Sequence, residues 1–315
     1  MTRSDAGIAD HSTIAALDLG SNTFRLMLAE KDGSLWKGKK VHQEIPRLSE
    51  RLAHGQKFAP EALDRAWSVL AEFDEIIRDA GVSRVLAGAT MAARLAADGP
   101  EFMAAVRNRF GWETVILTGE EEARLTATGV LTALEPTPPQ SLIFDIGGRS
   151  TEFVSAAGRG LKVTRSLPVG VVILTEAFLS DPIAAGELNL VERAVRELLS
   201  GADFSDVAPE ALLVGTAGTV TTVAALLLGL NEYDPEAVNN ARISAQAVSG
   251  LLNTLAGETV AQRIERHGLH PRRADAIVAG LVLVLEIMRY FGRDELVVSD
   301  NGLLEGVWLR AAGLI

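Results

Sequence analysis

Two segments of this chain, Ile14–Glu30 (IAALDLGSNTFRLMLAE) and Ser141–Gly158 (SLIFDIGGRSTEFVSAAG), follow one pattern. Each begins with an apolar run typical of a buried strand, and each run delivers an acid, Asp18 or Asp145. A turn of glycine and hydroxyl residues follows, and then a second apolar run. The pattern predicts a hairpin whose turn presents backbone N–H groups beside a carboxylate, which suits a metal-bound phosphate. Its repetition predicts two related domains that close on a phosphate between them.

Composition limits the class of protein. The chain has 315 residues, of which 48% are hydrophobic, so it can bury more than one core. Cysteine is absent, which excludes disulfides and thiolate metal sites. The formal net charge of −11 argues against a surface that binds nucleic acid or an anionic membrane. No apolar stretch is long enough to span a membrane and no signal-peptide core precedes Ile14, so we expect a cytoplasmic protein.

Strands alternate with helices along the chain, which indicates layered α/β structure. We predict a hairpin over residues 14–30, a third strand over residues 35–41 and an amphipathic helix over Glu61–Ala80. Val278–Ile287 is apolar except for Glu286 and predicts a buried helix.

The domain organisation follows from the same pattern. The clearest linker is LEPTPPQ, which contains Pro136, Pro138 and Pro139. We expect one domain over residues 12–130 and a second over residues 131–315. The last helix, residues 303–313, is expected to pack back on the first domain.

A third segment of interest is Leu213–Thr222 (LVGTAGTVTT), where a strand runs into a turn and then a helix of small residues. Backbone N–H groups at the start of such a helix bind anions. The two glycines of this turn, Gly215 and Gly218, are by themselves a weak signal, because the same spacing often serves only tight packing.

A helix that opens at Thr118-Gly119 carries three consecutive acids in its first turn, Glu120, Glu121 and Glu122. Acidic side chains at that position interact favourably with the helix dipole. We therefore interpret Glu120 and Glu121 as helix-start acids, and the spacing alone leaves the role of Glu122 open.

Taken together, the segments resemble the sugar kinase/Hsp70/actin superfamily, and within it the exopolyphosphatase/guanosine pentaphosphate phosphatase (Ppx/GppA) family. The resemblance covers nearly the whole chain in family order. It is carried by DLGSNTFRL, TGEEEARL, FDIGGRSTEF, SLPVGVVILTEAF, GTAGTVTTVAAL, RRADAIVAGLVLVLEIM and VSDNGLLEGVW. It implies an α/β protein of two actin-like (ribonuclease H-like) domains with an interdomain cleft.

The resemblance also implies an activity, namely Mg²⁺-dependent release of terminal orthophosphate from inorganic polyphosphate. Hydrolysis of the 5′ phosphate of guanosine pentaphosphate (pppGpp) is the alternative that the same site allows. Glu122 matches the catalytic glutamate that orients and deprotonates the attacking water, and direct attack by water is the economical mechanism. Asp145, Glu152 and Asp18 are the expected metal ligands. The residues expected to bind phosphate are Gly20, Ser21, Asn22, Thr23, Arg94, Gly147, Gly148, Arg149, Ser150, Thr151, Gly215, Thr216, Gly218 and Thr219.

Two positions depart from the family pattern. Arg149 stands where the family usually has a third glycine, which permits a positive φ and close approach of phosphate. Leu304 stands where the family has an arginine. Two interpretations stay open: Arg149 supplies the lost charge to the phosphate, or catalysis is impaired and the protein is a polyphosphate- or nucleotide-binding sensor.

Other charged residues carry weaker signals. Arg25, Arg47 and Arg51 are candidates for the path of a polyanion, and each is as well explained as an ordinary surface residue. His267 and His270 lack the further ligands of a metal site, so we interpret them as structural. The resemblance also implies a homodimer, because many relatives form pairs.

Overall fold

Two units, each built on its own β-sheet, make up the part of the chain that the structure describes. This computed structural model describes residues 13–32 and 35–315. The first unit contains the described residues up to Ile116 together with Val307–Ile315, and the second contains Leu117–Gly306. The domain ranges expected from the sequence, 12–130 and 131–315, differ from this division chiefly in the helix that follows Thr118, which packs on the second sheet.

The first unit is a five-stranded sheet with three helices. Its strands are β1 (Thr13–Leu19), β2 (Phe24–Asp32), β3 (Leu35–Glu44), β4 (Arg84–Ala89) and β5 (Glu113–Ile116). Its helices are α1 (Pro60–Asp79), α2 (Met91–Leu95) and α3 (Gly99–Phe110). The predicted hairpin, third strand and amphipathic helix are therefore confirmed. The strand order is β3-β2-β1-β4-β5, with β1 antiparallel to β2 and parallel to β4.

The core of the first unit follows from the helical spacing of apolar residues in α1. Leu70, Phe73 and Ile77 lie on one face of that helix and are buried against the sheet. Phe102 of α3 packs edge-to-face on Trp67, with ring centroids 5.1 Å apart. The C-terminal segment joins this unit, since the Arg84 guanidinium donates to the carbonyl of Ala311 at 2.6 Å.

The second unit has six strands and most of the helices. The strands are β6 (Gln140–Ile146), β7 (Thr151–Ala157), β8 (Gly160–Leu167), β9 (Leu212–Thr216), β10 (Arg242–Ser244) and β11 (Glu295–Val298). The helices are α4 (Gly119–Ala133), α5 (Val171–Phe178), α6 (Glu187–Ser200), α7 (Ala217–Leu227), α8 (Pro235–Val238), α9 (Ala245–Ala256), α10 (Val260–His267), α11 (Pro271–Ala274), α12 (Ile277–Tyr290) and α13 (Leu303–Ala311), which continues into the first unit. None of the helices in the described ranges is both long and apolar enough to span a membrane.

The two sheets share one topology. In the second sheet the order is β8-β7-β6-β9-β11-β10, so an antiparallel meander leads into parallel strands as in the first sheet, and β10 is an addition at the edge. The predicted α/β class with two related domains is confirmed. The proline-rich linker at 135–139 lies inside the second unit, where it joins α4 to β6 rather than one unit to the other.

Each face of the second sheet is covered by a different set of helices. The alternation of side chains along the strands divides the apolar residues between the two faces. On one face, Phe144 and Phe153 belong to a core that includes the almost wholly buried helix α12, as its apolar sequence predicts. On the other face, α4 packs against Ile143 and Val154.

Helix α4 is in close contact with the start of α13. A Cβ atom on Gly129 would lie 2.1 Å from the carbonyl oxygen of Gly302, and one on Gly306 would lie 2.1 Å from that of Leu125. Glycine is therefore required at both positions for the two backbones to approach this closely. Glu305, which is fully buried, accepts the N–H of Gly302 at 2.6 Å and so satisfies the start of α13.

We predict that Gly129→Ala destabilises the protein, because the added methyl group must displace the backbone at Gly302. Overpacking of this kind typically costs about 1–3 kcal/mol, and urea unfolding measures it. The matched control is Gly250→Ala in α9, where no atom lies within 4 Å of the new Cβ. This control should stabilise the protein by about 0.5–1 kcal/mol. Equal stability of the two variants would contradict the prediction.

Candidate active site

The turns that follow β1 and β6 have the same backbone geometry. Gly20 donates its N–H to the carbonyl of Thr23 at 3.0 Å, and Gly147 donates its N–H to the carbonyl of Ser150 at 3.0 Å. A Cβ atom would lie 2.8 Å from the Thr23 oxygen in the first turn and 3.1 Å from the Ser150 oxygen in the second. Both turns therefore favour glycine at their first position, and the repeat seen in the sequence is a repeat of structure.

The first turn, residues 20–23, is held from one side by the segment after β3. Arg47 and Ser49 donate their N–H groups to the carbonyls of Asn22 and Ser21, at 3.1 and 3.0 Å. In a trans peptide the carbonyl and the next N–H point in opposite directions, so the N–H groups of Asn22 and Thr23 point away from this segment. Arg47 has φ +53°, a conformation that costs energy in a non-glycine residue. The first turn thus presents consecutive donors on one side.

The arginines predicted for this unit take different positions. Arg25 is in register with Asp18 on the hairpin, so the two side chains share a face of the sheet. Arg94 lies on α2, directly after β4, the parallel neighbour of β1, and Thr90 donates its N–H to the carbonyl of Leu19 at 3.4 Å. These contacts bring Arg94 to the end of the sheet that carries the first turn. Arg51 is exposed.

The second turn, residues 147–150, is held by the start of α5. Val171 and Val172 donate their N–H groups to the carbonyls of Gly147 and Gly148, at 3.1 and 2.8 Å. The N–H groups of Gly148 and Arg149 therefore point away from α5, as in the first turn. Thr151 is fully buried and its hydroxyl donates to the carbonyl of Val169 at 2.6 Å, so its hydroxyl hydrogen is used in holding the turn.

Arg149 occupies the second turn without backbone strain. Among the described residues, positive φ values of non-glycine residues occur at Arg47, Arg51, Ala217 and Asn240, and Arg149 is not one of them. Gly147 and Gly148 also have ordinary φ values. The positive φ that a glycine permits is therefore not used at this position, since the turn is made without a left-handed residue.

The third segment begins where β9 ends. The Thr219 hydroxyl donates to the carbonyl of Ile146 at 3.3 Å, which brings the start of α7 beside the second turn. Ala217 has φ +69°, a strained conformation for alanine. A Cβ atom on Gly215 would lie 2.7 Å from the ring of Phe144. Gly215 therefore serves close packing, while Thr216, Gly218 and Thr219 lie at the helix start.

Glu122 differs from the two acids that precede it. The N–H of Glu121 bonds to the Thr118 hydroxyl at 3.1 Å and its carboxylate accepts the Thr118 N–H at 2.9 Å, which is a capping box. Glu120 is exposed and lies 3.8 Å from Arg124. Glu122 is buried, with 8% of its surface exposed. These contacts support the interpretation of Glu120 and Glu121 as helix-start acids. Of the three acids, Glu122 is the one buried in the protein.

Polar side chains form a row across one end of the second sheet. Asp145 is in register with Glu152 on β7 and with Thr216 on β9, and Glu152 is in register with Ser166 on β8. Residues paired in this way project from the same face of a sheet. By strand alternation this is the face of Ile143 and Val154, on which α4 packs. Glu122, at the start of α4, therefore lies on the side of the sheet that carries the carboxylates Asp145 and Glu152.

The side-chain oxygen atoms of this row could ligate a small, hard cation. Mg²⁺ in proteins takes oxygen ligands, often one or two carboxylates completed by waters and substrate phosphates. Asp145 and Glu152 are such a pair, whereas in the first hairpin Asp18 faces Arg25, so the second hairpin is favoured as the metal site. In residues 13–32 and 35–315, no three His, Cys, Asp or Glu side chains come together as a metal centre.

Arg273 was not identified as a candidate site residue from the sequence. Its side chain contacts the third segment, residues 213–222. Its guanidinium donates to the hydroxyl of Thr222 at 2.9 Å, and a Cβ atom on Gly218 would lie 3.3 Å from it. The sequence signal was the pair of arginines in RRADAI, but the contact depends on how α11 packs against α7. A cation at the start of α7 adds to the attraction of this region for anions.

The two histidines have structural roles, as predicted. His267 Nε2 lies 2.9 Å from a carboxylate oxygen of Glu258, and the ring nitrogen Nδ1 of His270 accepts the N–H of Arg272 at 3.1 Å. Burial acts to raise the pKa of Glu258, but hydrogen bonds from Arg266 and His267 outweigh it and hold that pKa below its usual range.

Leu304, the second departure from the family pattern, is fully buried at the start of α13. The arginine that the resemblance implies at this position is replaced by an apolar side chain that packs in the core.

We predict that Gly170→Ala distorts the second turn, because the new Cβ atom would lie 2.5 Å from the N atom of Arg149 and 2.6 Å from the carbonyl oxygen of Gly147. The expected cost is about 1–3 kcal/mol in urea unfolding, with displaced NMR resonances of the Gly147 and Gly148 amides. Gly257→Ala is the control, since its nearest neighbour would be 3.6 Å away. Unmoved amide resonances in Gly170→Ala would contradict the prediction.

Comparisons with known proteins extend over most of the chain. The model of the Ppx/GppA phosphatase family matches residues 37–314 of the chain. Exopolyphosphatase 2 of Mycobacterium tuberculosis is 34% identical over 316 residues, which cover 95% of this chain and 98% of that protein.

Solved structures are similar to this chain over a comparable share of its length. The crystal structure of the Aquifex aeolicus Ppx/GppA family member has a TM-score of 0.81 and 30% identity, covering 95% of this chain and 97% of its own. The crystal structure of an exopolyphosphatase-like protein has a TM-score of 0.87 and 28% identity, covering 96% and 98%. Both are similar to this chain along nearly its whole length.

Proposed function

Because this chain belongs to the Ppx/GppA phosphatase family, we propose that it is an exopolyphosphatase. It hydrolyses the terminal phosphoric anhydride bond of inorganic polyphosphate and releases orthophosphate. The relative in Mycobacterium tuberculosis that carries this name is aligned over almost its whole length, which supports the proposal.

The observation that carries the proposal is the position of one buried acid relative to a carboxylate pair. Glu122 lies at the start of α4, on the face of the second sheet from which Asp145 and Glu152 project. The second turn, with the N–H groups of Gly148 and Arg149 directed away from α5, begins two residues after Asp145. A general base, two hard ligands and phosphate donors thus belong to one unit.

In the proposed reaction, a water molecule attacks the terminal phosphorus in line with the bridging oxygen. Glu122 orients this water and accepts its proton. The bond between the terminal phosphorus and the bridging oxygen breaks, and the shortened chain leaves with the bond's electron pair. Charge neutralisation and positioning account for most of the catalysis of such a transfer, so no covalent intermediate on the protein is required.

The turns and the helix start are proposed to hold the phosphate groups. In the second turn the proposed donors are the N–H groups of Gly148 and Arg149, while Gly147, Ser150 and Thr151 hold the shape of the turn. In the third segment they are the residues at the helix start, Thr216, Gly218 and Thr219, and Gly215 provides close packing behind them. Residues 20–23 and Arg94 do the same in the first unit. Backbone N–H groups directed to one side form an anion-binding concavity. They are uncharged and do not titrate, so a change of pH does not alter them.

Asp145 and Glu152 are proposed to hold Mg²⁺. When bound, the ion would neutralise phosphate oxygens and stabilise the charge that develops on them. The pair offers only carboxylate oxygens and leaves coordination positions for substrate, which supports this choice of metal. The role of Asp18 as a further ligand stays a prediction.

We predict that Glu122→Gln lowers kcat for phosphate release from polyphosphate by about 10²–10⁴-fold, the usual contribution of a general base. The measurement is orthophosphate release with Mg²⁺, repeated with EDTA. Glu120→Gln is the matched control, because Glu120 is an exposed acid of the same helical turn, and it should retain wild-type turnover. Full activity of Glu122→Gln would refute the assignment of the base.

The same assay distinguishes the substrates. Faster release from polyphosphate than from guanosine pentaphosphate supports the exopolyphosphatase assignment. The reverse order would make guanosine pentaphosphate hydrolysis the activity of the same site. Binding of polyphosphate without release from either substrate would support a sensor.

A second prediction concerns Arg149. In the proposed enzyme its guanidinium binds phosphate, so Arg149→Gly should lower kcat/KM by about 10- to 100-fold, the loss of one charged hydrogen bond. Arg159→Gly, an exposed arginine in the next hairpin turn, is the control and should retain activity. An increase in turnover in Arg149→Gly would mean that Arg149 obstructs catalysis and would favour the sensor interpretation.

Two expectations from the sequence stay predictions. The first is a homodimer, which sedimentation of the purified protein would test. The second is a cytoplasmic location.

A further inference from the structure

Ser166 lies beside the proposed metal ligand Glu152. Its hydroxyl donates to Glu152 Oε1 at 2.8 Å, across the register pair that joins β8 to β7. Only 3% of the Glu152 surface is exposed, whereas Ser166 is at the surface of this edge strand. The hydroxyl therefore lies between the solvent-exposed edge strand and the buried carboxylate.

The same serine also contacts the helix that carries the proposed base. A Cβ atom on Gly119 would lie 3.6 Å from Ser166 Cβ and 3.8 Å from its Oγ, so the first residue of α4 packs directly on this side chain. The capping box at Thr118 fixes that end of the helix, and Glu122 follows one turn later. Ser166 thus contacts both elements of the proposed site.

We propose that Ser166 is a positioning residue, which orients the Glu152 carboxylate toward the metal and sets the start of α4 beside it. The inference rests on the proposed function, because it takes Glu152 as a metal ligand. The hydrogen bond from Ser166 to Oε1 restricts rotation of the Glu152 carboxylate. Partners of this kind orient ligands and influence metal affinity.

The chemistry of a hydroxyl suits this role. A guanidinium or ammonium donor at position 166 would neutralise the carboxylate and compete with the cation for it. A hydroxyl donates one hydrogen bond and leaves the negative charge in place. Its small size also permits the close approach of Gly119.

The test measures metal binding directly, apart from turnover. Mn²⁺ is titrated by electron paramagnetic resonance in the presence of imidodiphosphate, a pyrophosphate analogue with a nitrogen bridge. Ser166→Ala should weaken Mn²⁺ binding about tenfold, within the range found for groups that orient ligands. Ser166→Thr keeps the hydroxyl and should bind Mn²⁺ nearly as wild type does. Ser200→Ala, an exposed serine at the end of α6, is the control for a lost hydroxyl.

Two outcomes overturn the inference while the proposed function stands. Wild-type Mn²⁺ affinity in Ser166→Ala would show that the hydroxyl does not orient the ligand. An equal loss in Ser166→Ala and Ser166→Thr would show that only packing against Gly119 matters. Absence of Mn²⁺ binding and of phosphate release in the wild type would instead refute the proposed function, and the inference with it.

Discussion

The structure of the candidate site depends on how the carbonyls of two tight turns are satisfied. In each turn a peptide carbonyl accepts a hydrogen bond from a later segment, at Ser21 from Ser49 and at Gly148 from Val172. Because the peptide unit is planar and trans, the next N–H must then point the opposite way. The chain thereby presents several donors on one side of a turn without using a charged side chain. Buried carbonyls need partners in any case, so the hydrogen bonds that direct these N–H groups also stabilise the turn.

Close approach of backbones is the second requirement, and it is met by glycine at particular positions. Gly170 lets the start of α5 reach the second turn, and Gly129 and Gly306 let α4 lie against α13. The first contact holds the turn proposed to bind phosphate, and the other two hold the helix that carries Glu122. Interiors packed this densely have no room for a methyl group, so these glycines couple the core to the site.

Several features of the site were predictable from local sequence. The two hairpins, their acids and the helix start at Thr118 follow from patterns a few residues long, and all are present in the structure. Glu122 is different, because three adjacent acids look alike in a sequence. Only the packing of α4 buries Glu122 and leaves Glu120 exposed. Likewise, the resemblance implies only that Arg149 replaces a glycine, whereas the φ values of the actual turn determine what the position tolerates.

The sequence by itself determined the α/β class, the duplicated hairpin and the family, because each depends on local periodicity or on ordered motifs. Tertiary structure decided which side chains meet. The row from Ser166 through Glu152 and Asp145 to Thr216 joins four strands, and its members come together only through strand register. The contact of Arg273 with Thr222 joins helices about fifty residues apart. Such contacts arise when distant segments bury their apolar faces together, and no short stretch of sequence specifies them.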